Sequence, residues 1–181
     1  MSMIELSIYA SPLTVETRKE KKIQNLAERI LEEMKNELKR GEFPSLASFN
    51  EKCSAAFALL DEKTRSLLEK PSAKEFKNSV KKVKETLPEM VQMLIEVAGD
   101  DRKLRQLAVV YGIVLSILIK RLENALKKER YNLANIIVNW ITYIAFLVGA
   151  FFTLVIEDSR VRPEILECIE KTFVDALNKT V

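Results

Sequence analysis

Residues 131–156 read YNLANIIVNWITYIAFLVGAFFTLVI, and no charged side chain occurs among these 26 positions. At 1.5 Å per residue, a helix over this stretch is roughly 39 Å long. That length exceeds the roughly 30 Å hydrocarbon core of a bilayer. The stretch is therefore compatible with a membrane span and with the central helix of a bundle.

Polar and small residues within this stretch follow steps of three and four. They are Asn132, Asn135, Asn139, Thr142, Gly149 and Thr153. All fall on one side of a helix, and three asparagines on one face are costly toward lipid. The pattern favours a central helix covered by other helices. Two alternatives stay open, a membrane span through 131–156 and a bundle that opens and then inserts.

The composition of the remaining chain indicates helices. The 181 residues are 48% hydrophobic and 30% charged, and they include only 4 Gly and 5 Pro. Such a chain is too apolar for disorder and too poor in turn residues for a β-rich fold. We predict an all-α, single-domain bundle of about seven helices around a hydrophobic central helix (131–157), with residues 1–10 as an N-terminal arm.

Capping signals and prolines set the other predicted helix boundaries. The first predicted helix ends at Gly41, and Ser45 caps a second that runs to Pro71. Ser72 opens a third, and the pair Thr86 and Glu89 around Pro88 opens a fourth, ending at Gly99. A fifth spans about 102–128, the central helix is the sixth, and Pro163 opens the seventh.

The absence of histidine narrows the chemistry. With no His in the sequence, there is no histidine metal site, catalytic dyad or imidazole switch. We expect no enzyme activity, no metal, no cofactor and no small-molecule substrate. Cys53 and Cys168 fall on apolar stripes, which is typical of buried thiols in a reducing compartment. No secretion signal is evident, so a cytoplasmic location is expected, with membrane association as the alternative.

Small residues on the central helix predict close helix packing. Ala145, Gly149 and Thr153 repeat every four residues, which lets another backbone approach, and Trp140 adds a large apolar side chain. The fifth predicted helix is also uncharged from 106 to 119. The chain is therefore expected to act by protein–protein interaction or self-assembly. A groove or oligomer surface formed by the fourth to sixth predicted helices is the expected working face.

A lysine stripe supports nucleic-acid binding as the alternative function. Its members are Lys74, Lys77, Lys81, Lys82 and Lys84, on the third predicted helix. Lysines in this arrangement can follow a phosphate backbone or contact an acidic partner. Against this, no aromatic residue interleaves them for base stacking, and the net charge is only +3.

Two fragments resemble sequences of the Bcl family of apoptosis regulators. Ile95–Asp101 is similar to the core of that family's death motif, and Asn139-Trp140 is similar to the opening of its central helix. The sequence departs from the family pattern at Ile141-Thr142, where the family has Gly-Arg, and at Arg102. The resemblance implies amphipathic helices wrapped around one hydrophobic helix.

Overall fold

The computed structural model describes residues 17–69 and 73–180. Within them, 89% of residues are helical and no strand occurs, which confirms the all-α bundle. The helices are α1 (Thr17–Lys39), α2 (Leu46–Ala58), α3 (Glu62–Glu69), α4 (Ala73–Ala98), α5 (Arg102–Lys127), α6 (Tyr131–Glu157) and α7 (Arg162–Lys179), with a 3₁₀ turn at Ser159–Val161. The predicted N-terminal arm (1–10) and the Ser72 cap lie outside the described residues.

Helix α6 is the central helix, as the uncharged stretch predicts. It packs against α1, α5 and α7, with further contacts to α2 and α4. From Tyr143 to Phe152 every residue is buried, whereas Asn132, Asn135 and Asn139 are exposed. The asparagines thus lie on the exposed face of the first half of α6, whose opposite face is buried, and the apolar second half is surrounded by the neighbouring helices.

The predicted second helix is two helices, α2 and α3. The carboxylate of Asp61 accepts from the backbone N–H of Thr64 at 2.7 Å and from Lys22 Nζ at 2.9 Å. These donors hold the pKa of Asp61 well below its usual range. Because an N-cap residue has non-helical backbone angles, Asp61 interrupts the helix. The prediction of a single helix that runs to Pro71 is therefore wrong.

The predicted third and fourth helices are one continuous helix, α4, with Pro88 inside it. The side chains of Val80, Val83, Leu87, Met90, Leu94 and Ala98 form one buried stripe that continues past the proline. Burial of this stripe offsets the cost of a helical proline, roughly 3 kcal/mol. Thr86 does not cap a helix, because its hydroxyl donates back to the carbonyl of Lys82 at 2.9 Å.

Two buried tyrosines differ in how their hydroxyls are satisfied. Tyr143 donates to the carbonyl of Pro44. Tyr111 is fully buried beside Phe173, and its hydroxyl has no hydrogen-bond partner among the described residues. Burial raises the pKa of both phenols. An unpaired buried hydroxyl is a cost of folding, whereas a paired one is not.

We therefore expect opposite effects from two tyrosine-to-phenylalanine substitutions. Tyr111→Phe should raise the free energy of unfolding by about 1 kcal/mol, because it removes an unpaired polar atom. Tyr143→Phe should lower it by about 1 kcal/mol, because the Pro44 carbonyl loses its donor. Urea unfolding with an unchanged denaturant slope measures both. A loss of stability in Tyr111→Phe would mean that its hydroxyl has a bound partner, such as water.

Candidate functional site

The outer face of α5 carries an apolar stripe that the bundle does not cover. Val109, Ile113 and Ile117 follow steps of four residues, and they are 45%, 55% and 36% exposed. The opposite face of the same helix, including Leu107, Tyr111, Val114 and Leu118, is buried. The uncharged stretch 106–119 therefore contributes both to the core and to the surface.

A groove runs beside this stripe, between α4 and α5, with a volume of about 880 Å³. We call it the α4–α5 groove. The residues that line it are Lys84, Leu87, Pro88, Val91, Gln92, Val109, Gly112, Ile113, Ser116, Ile117, Ile119, Lys120 and Glu123. Its middle is apolar and its charges gather at the Lys84 end. Grooves of this kind accept an apolar helix face.

Gly112 explains how closely the two walls of the groove approach. A Cβ atom added at Gly112 would lie 2.7 Å from Cγ2 of Val91. The glycine therefore serves contact between α4 and α5. Ser116, one turn later, donates its hydroxyl to the Gly112 carbonyl at 2.8 Å.

A double-mutant cycle tests this contact. In the native background Gly112→Ala is expected to lower stability by roughly 1 kcal/mol, because the clash with Val91 exceeds the gain in helix propensity. In a Val91→Ala background the same substitution should raise stability by up to about 1 kcal/mol. The two values, measured by urea unfolding, should differ by at least about 1 kcal/mol. If Gly112→Ala changes stability equally in the two backgrounds, its cost does not come from contact with Val91.

The small residues predicted on the central helix lie inside the bundle. Ala145 and Gly149 are buried, Thr153 is half-buried and donates its hydroxyl to the Gly149 carbonyl at 2.7 Å, and Trp140 is 7% exposed. Trp140 packs edge-on against Tyr143, with Lys179 Nζ 5.9 Å from its ring centroid. These residues pack within this chain, and contact with a partner stays a prediction for them.

The lysine stripe divides into two groups. Lys77, Lys81 and Lys84 line a cleft of about 910 Å³ between α4, the end of α5 and the start of α6. We call it the lysine cleft. Lys74 and Lys82 are exposed on α4 and do not line it. Lys81 pairs with Glu85 at 3.9 Å and Lys84 with Glu123 at 3.2 Å.

Three cleft residues were not part of the sequence prediction. Lys127 adds a fourth lysine, and Tyr131 and Phe76 bring aromatic rings to the lysine face. Phe76 is next to the stripe lysines in the sequence, but Tyr131 is 47 positions after Lys84. The three-residue turn between α5 and α6 brings it there. Glu129 in that turn has a φ of 56°, a left-handed conformation usually taken by glycine.

The cysteines and carboxylates do not form a metal-binding cluster in the part of the chain described. No group of three or more His, Cys, Asp or Glu side chains among those residues could hold a metal ion. Cys53 is half-buried, and burial raises the pKa of its thiol to about 11, so it is protonated at neutral pH. Cys168 is exposed. Its predicted burial is wrong, because α7 buries Ile165 and Ile169 and turns position 168 outward.

The fragment similar to the death motif forms a connection between helices. Gly99 has a φ of 57° and ends α4. Asp101 begins α5 by accepting from the N–H of Leu104 at 3.1 Å, and it also accepts from Arg162 at 2.6 Å. These donors lower the pKa of Asp101.

No known protein family, curated protein or solved structure matches the chain.

One described helix, α6, is long and apolar enough to cross a membrane. In this fold 72% of its most apolar window is buried by neighbouring helices. A core helix and a membrane span share this length and composition. Membrane insertion therefore stays a prediction.

Proposed function

We propose that the chain is a non-catalytic assembly protein whose working surface is the α4–α5 groove, occupied by the same groove of a second copy. The observation that carries this proposal is the exposed stripe of Val109, Ile113 and Ile117 in a segment with no charge from 106 to 119. A contiguous apolar patch rimmed by polar residues is typical of an interaction site.

The charge of α4 supports a second copy as the occupant. Residues 74–85 contain five lysines and two glutamates, a net charge of +3. Residues 86–100 contain Glu89, Glu96 and Asp100 and no basic residue, a net charge of −3. Two α4 helices that lie antiparallel across the groove place opposite charges together, whereas a parallel arrangement places like charges together. The basic residues in the first turn of α5, Arg102 and Arg105, line a separate depression that also contains Glu170.

The spacing of the stripe fits two-fold symmetry. Ile113 is its midpoint, with Val109 four residues before it and Ile117 four after. A two-fold axis at Ile113 brings Val109 of one copy against Ile117 of the other, so one surface is repeated and the pair closes on itself. Burial of the stripe supplies the driving force, and the charges of α4 select the orientation.

Sedimentation equilibrium of the full chain tests the proposal. We expect a monomer–dimer equilibrium between about 1 and 100 µM, the range of a modest apolar interface. A monomer at every concentration would overturn self-assembly. Trimers or open polymers would overturn the two-fold arrangement, because a closed interface stops at two copies.

Charge reversal tests the orientation. The double variant Glu89→Lys with Glu96→Lys makes both halves of α4 basic, so we expect the dimer to weaken roughly tenfold at low salt. At about 0.5 M salt the difference from the native chain should largely disappear through screening. The control is Glu164→Lys with Glu167→Lys, which makes the same charge change on α7. A tighter dimer in the α4 variant would contradict the antiparallel arrangement.

A further inference from the structure

We propose that the lysine cleft is a nucleotide site, in which lysines hold the phosphates and Tyr131 stacks on the base. The nucleotide is either free or part of a single strand, since both present the same phosphate and ring. The lysine cleft shares Lys84 and Glu123 with the α4–α5 groove, but nucleotide binding does not require that the chain dimerises.

The first observation is the convergence of lysines from separate helices. Lys77, Lys81 and Lys84 approach from α4 and Lys127 from the last turn of α5. Four lysines and two carboxylates, Glu123 and Glu129, give the lining a net charge of +2. Among the described residues Lys77 and Lys127 have no carboxylate partner within 4.0 Å, so their ammonium groups are available to an anion.

The second observation is the aromatic and apolar part of the same cleft. Tyr131 lines the cleft and is 59% exposed. Phe76 and Leu126 are half-buried, and Val80 and Ala134 are buried below them. Lysines beside an exposed ring match the two parts of a nucleotide. The lysines bind its phosphates, and its base stacks on the aromatic face, which accepts any of the bases. A bare phosphate would use the lysines alone.

The third observation is the uncapped start of α6. Its N-cap residue, Arg130, provides no side-chain acceptor to the first turn. The backbone N–H groups of Tyr131, Asn132 and Leu133 therefore have no helical or side-chain cap, and they carry the positive end of the helix dipole. Because Tyr131 lines the cleft, this end of α6 borders it and favours a phosphate there.

The test is a binding titration at about 50 mM salt with three probes: ATP, a fluorescein-labelled single-stranded oligonucleotide of about 12 residues, and inorganic pyrophosphate. Two double variants with equal charge change are compared. Lys77→Glu with Lys127→Glu alters the cleft, and Lys82→Glu with Lys128→Glu alters exposed lysines outside it. A third variant, Tyr131→Ala, removes the ring from a side chain that packs little.

We expect ATP or the oligonucleotide to bind with a dissociation constant below about 1 mM. The cleft variant should weaken binding at least tenfold and the control variant less than threefold. Tyr131→Ala should weaken ATP and oligonucleotide binding while leaving pyrophosphate binding unchanged. Preference for ATP identifies a free nucleotide as ligand, and preference for the oligonucleotide identifies a strand.

Three results would overturn the proposal. Equal losses in the two double variants would mean that diffuse surface charge attracts the probe. Pyrophosphate binding as tight as ATP binding, together with ATP binding that is unaffected by Tyr131→Ala, would mean that the ring has no role. Absence of binding by all three probes would remove the site. Circular dichroism of each variant shows that the helices remain folded.

Discussion

Ile113→Asp is expected to convert the proposed dimer into a monomer. The side chain is 55% exposed in one copy, so an aspartate there stays hydrated in the monomer. In the dimer, two aspartates would meet at the symmetry axis within an apolar surface. Burial of unpaired like charges costs several kcal/mol, so dimerisation should weaken by about 100-fold or more. Sedimentation equilibrium gives the dissociation constants of both chains.

The matched control is Ile136→Asp on α6. Ile136 is 45% exposed and lies outside the α4–α5 groove. Both variants should unfold in urea within about 0.5 kcal/mol of the native monomer, since both positions are on the surface. If Ile136→Asp dissociates the dimer and Ile113→Asp does not, the interface lies at the start of α6 and the groove is unoccupied.

Ala145→Glu is expected to prevent folding of the bundle. Ala145 has no exposed surface, and the residues around it on α6 are buried on all sides. A glutamate there is both too large and unpaired, and its cost of several kcal/mol is comparable with the whole stability of a domain. We expect loss of cooperative thermal unfolding and aggregation during expression, measured by circular dichroism and by the soluble yield.

Asn139→Glu is the matched control on the same helix. Asn139 is exposed, so the glutamate should change stability by less than about 0.5 kcal/mol. A chain that uses residues 131–156 as a membrane span would place position 139 within the hydrocarbon and would tolerate neither substitution. Equal failure of both variants therefore favours a span, and failure of Ala145→Glu alone favours the enclosed helix.

The helices with the clearest end signals could be predicted from the sequence. The uncharged stretch predicts α6 at 131–157, the observed bounds, and the fifth predicted helix, about 102–128, matches α5 to within one residue. The misses occur where two local rules compete. Asp61 can continue a helix or cap the next, and its contact with Lys22, 39 residues earlier, is a tertiary feature. A proline usually ends a helix, but α4 continues through Pro88 because its buried stripe extends on both sides of that residue.

The candidate site could be predicted only in part. The lysines of α4 share a face by spacing alone, but Lys127 and Tyr131 join them through the reversal of the chain after α5. The exposed stripe of α5 could not be predicted from the sequence for another reason. Apolar residues occupy both faces of 106–119, so helical periodicity cannot tell which face the bundle covers.

Helix α1 packs on α6, and Lys35 Nζ binds the carboxylate of Glu157, 122 positions later in the sequence, at 3.1 Å. During synthesis, α1 leaves the ribosome long before its docking site exists. Helices α4, α5 and α6 are consecutive and can associate as they emerge, since neighbouring contacts form fastest. Completion of the fold waits for the last quarter of the chain. Until α1 docks, the face of α6 that α1 covers is exposed to water, and incomplete chains at this stage are prone to aggregate.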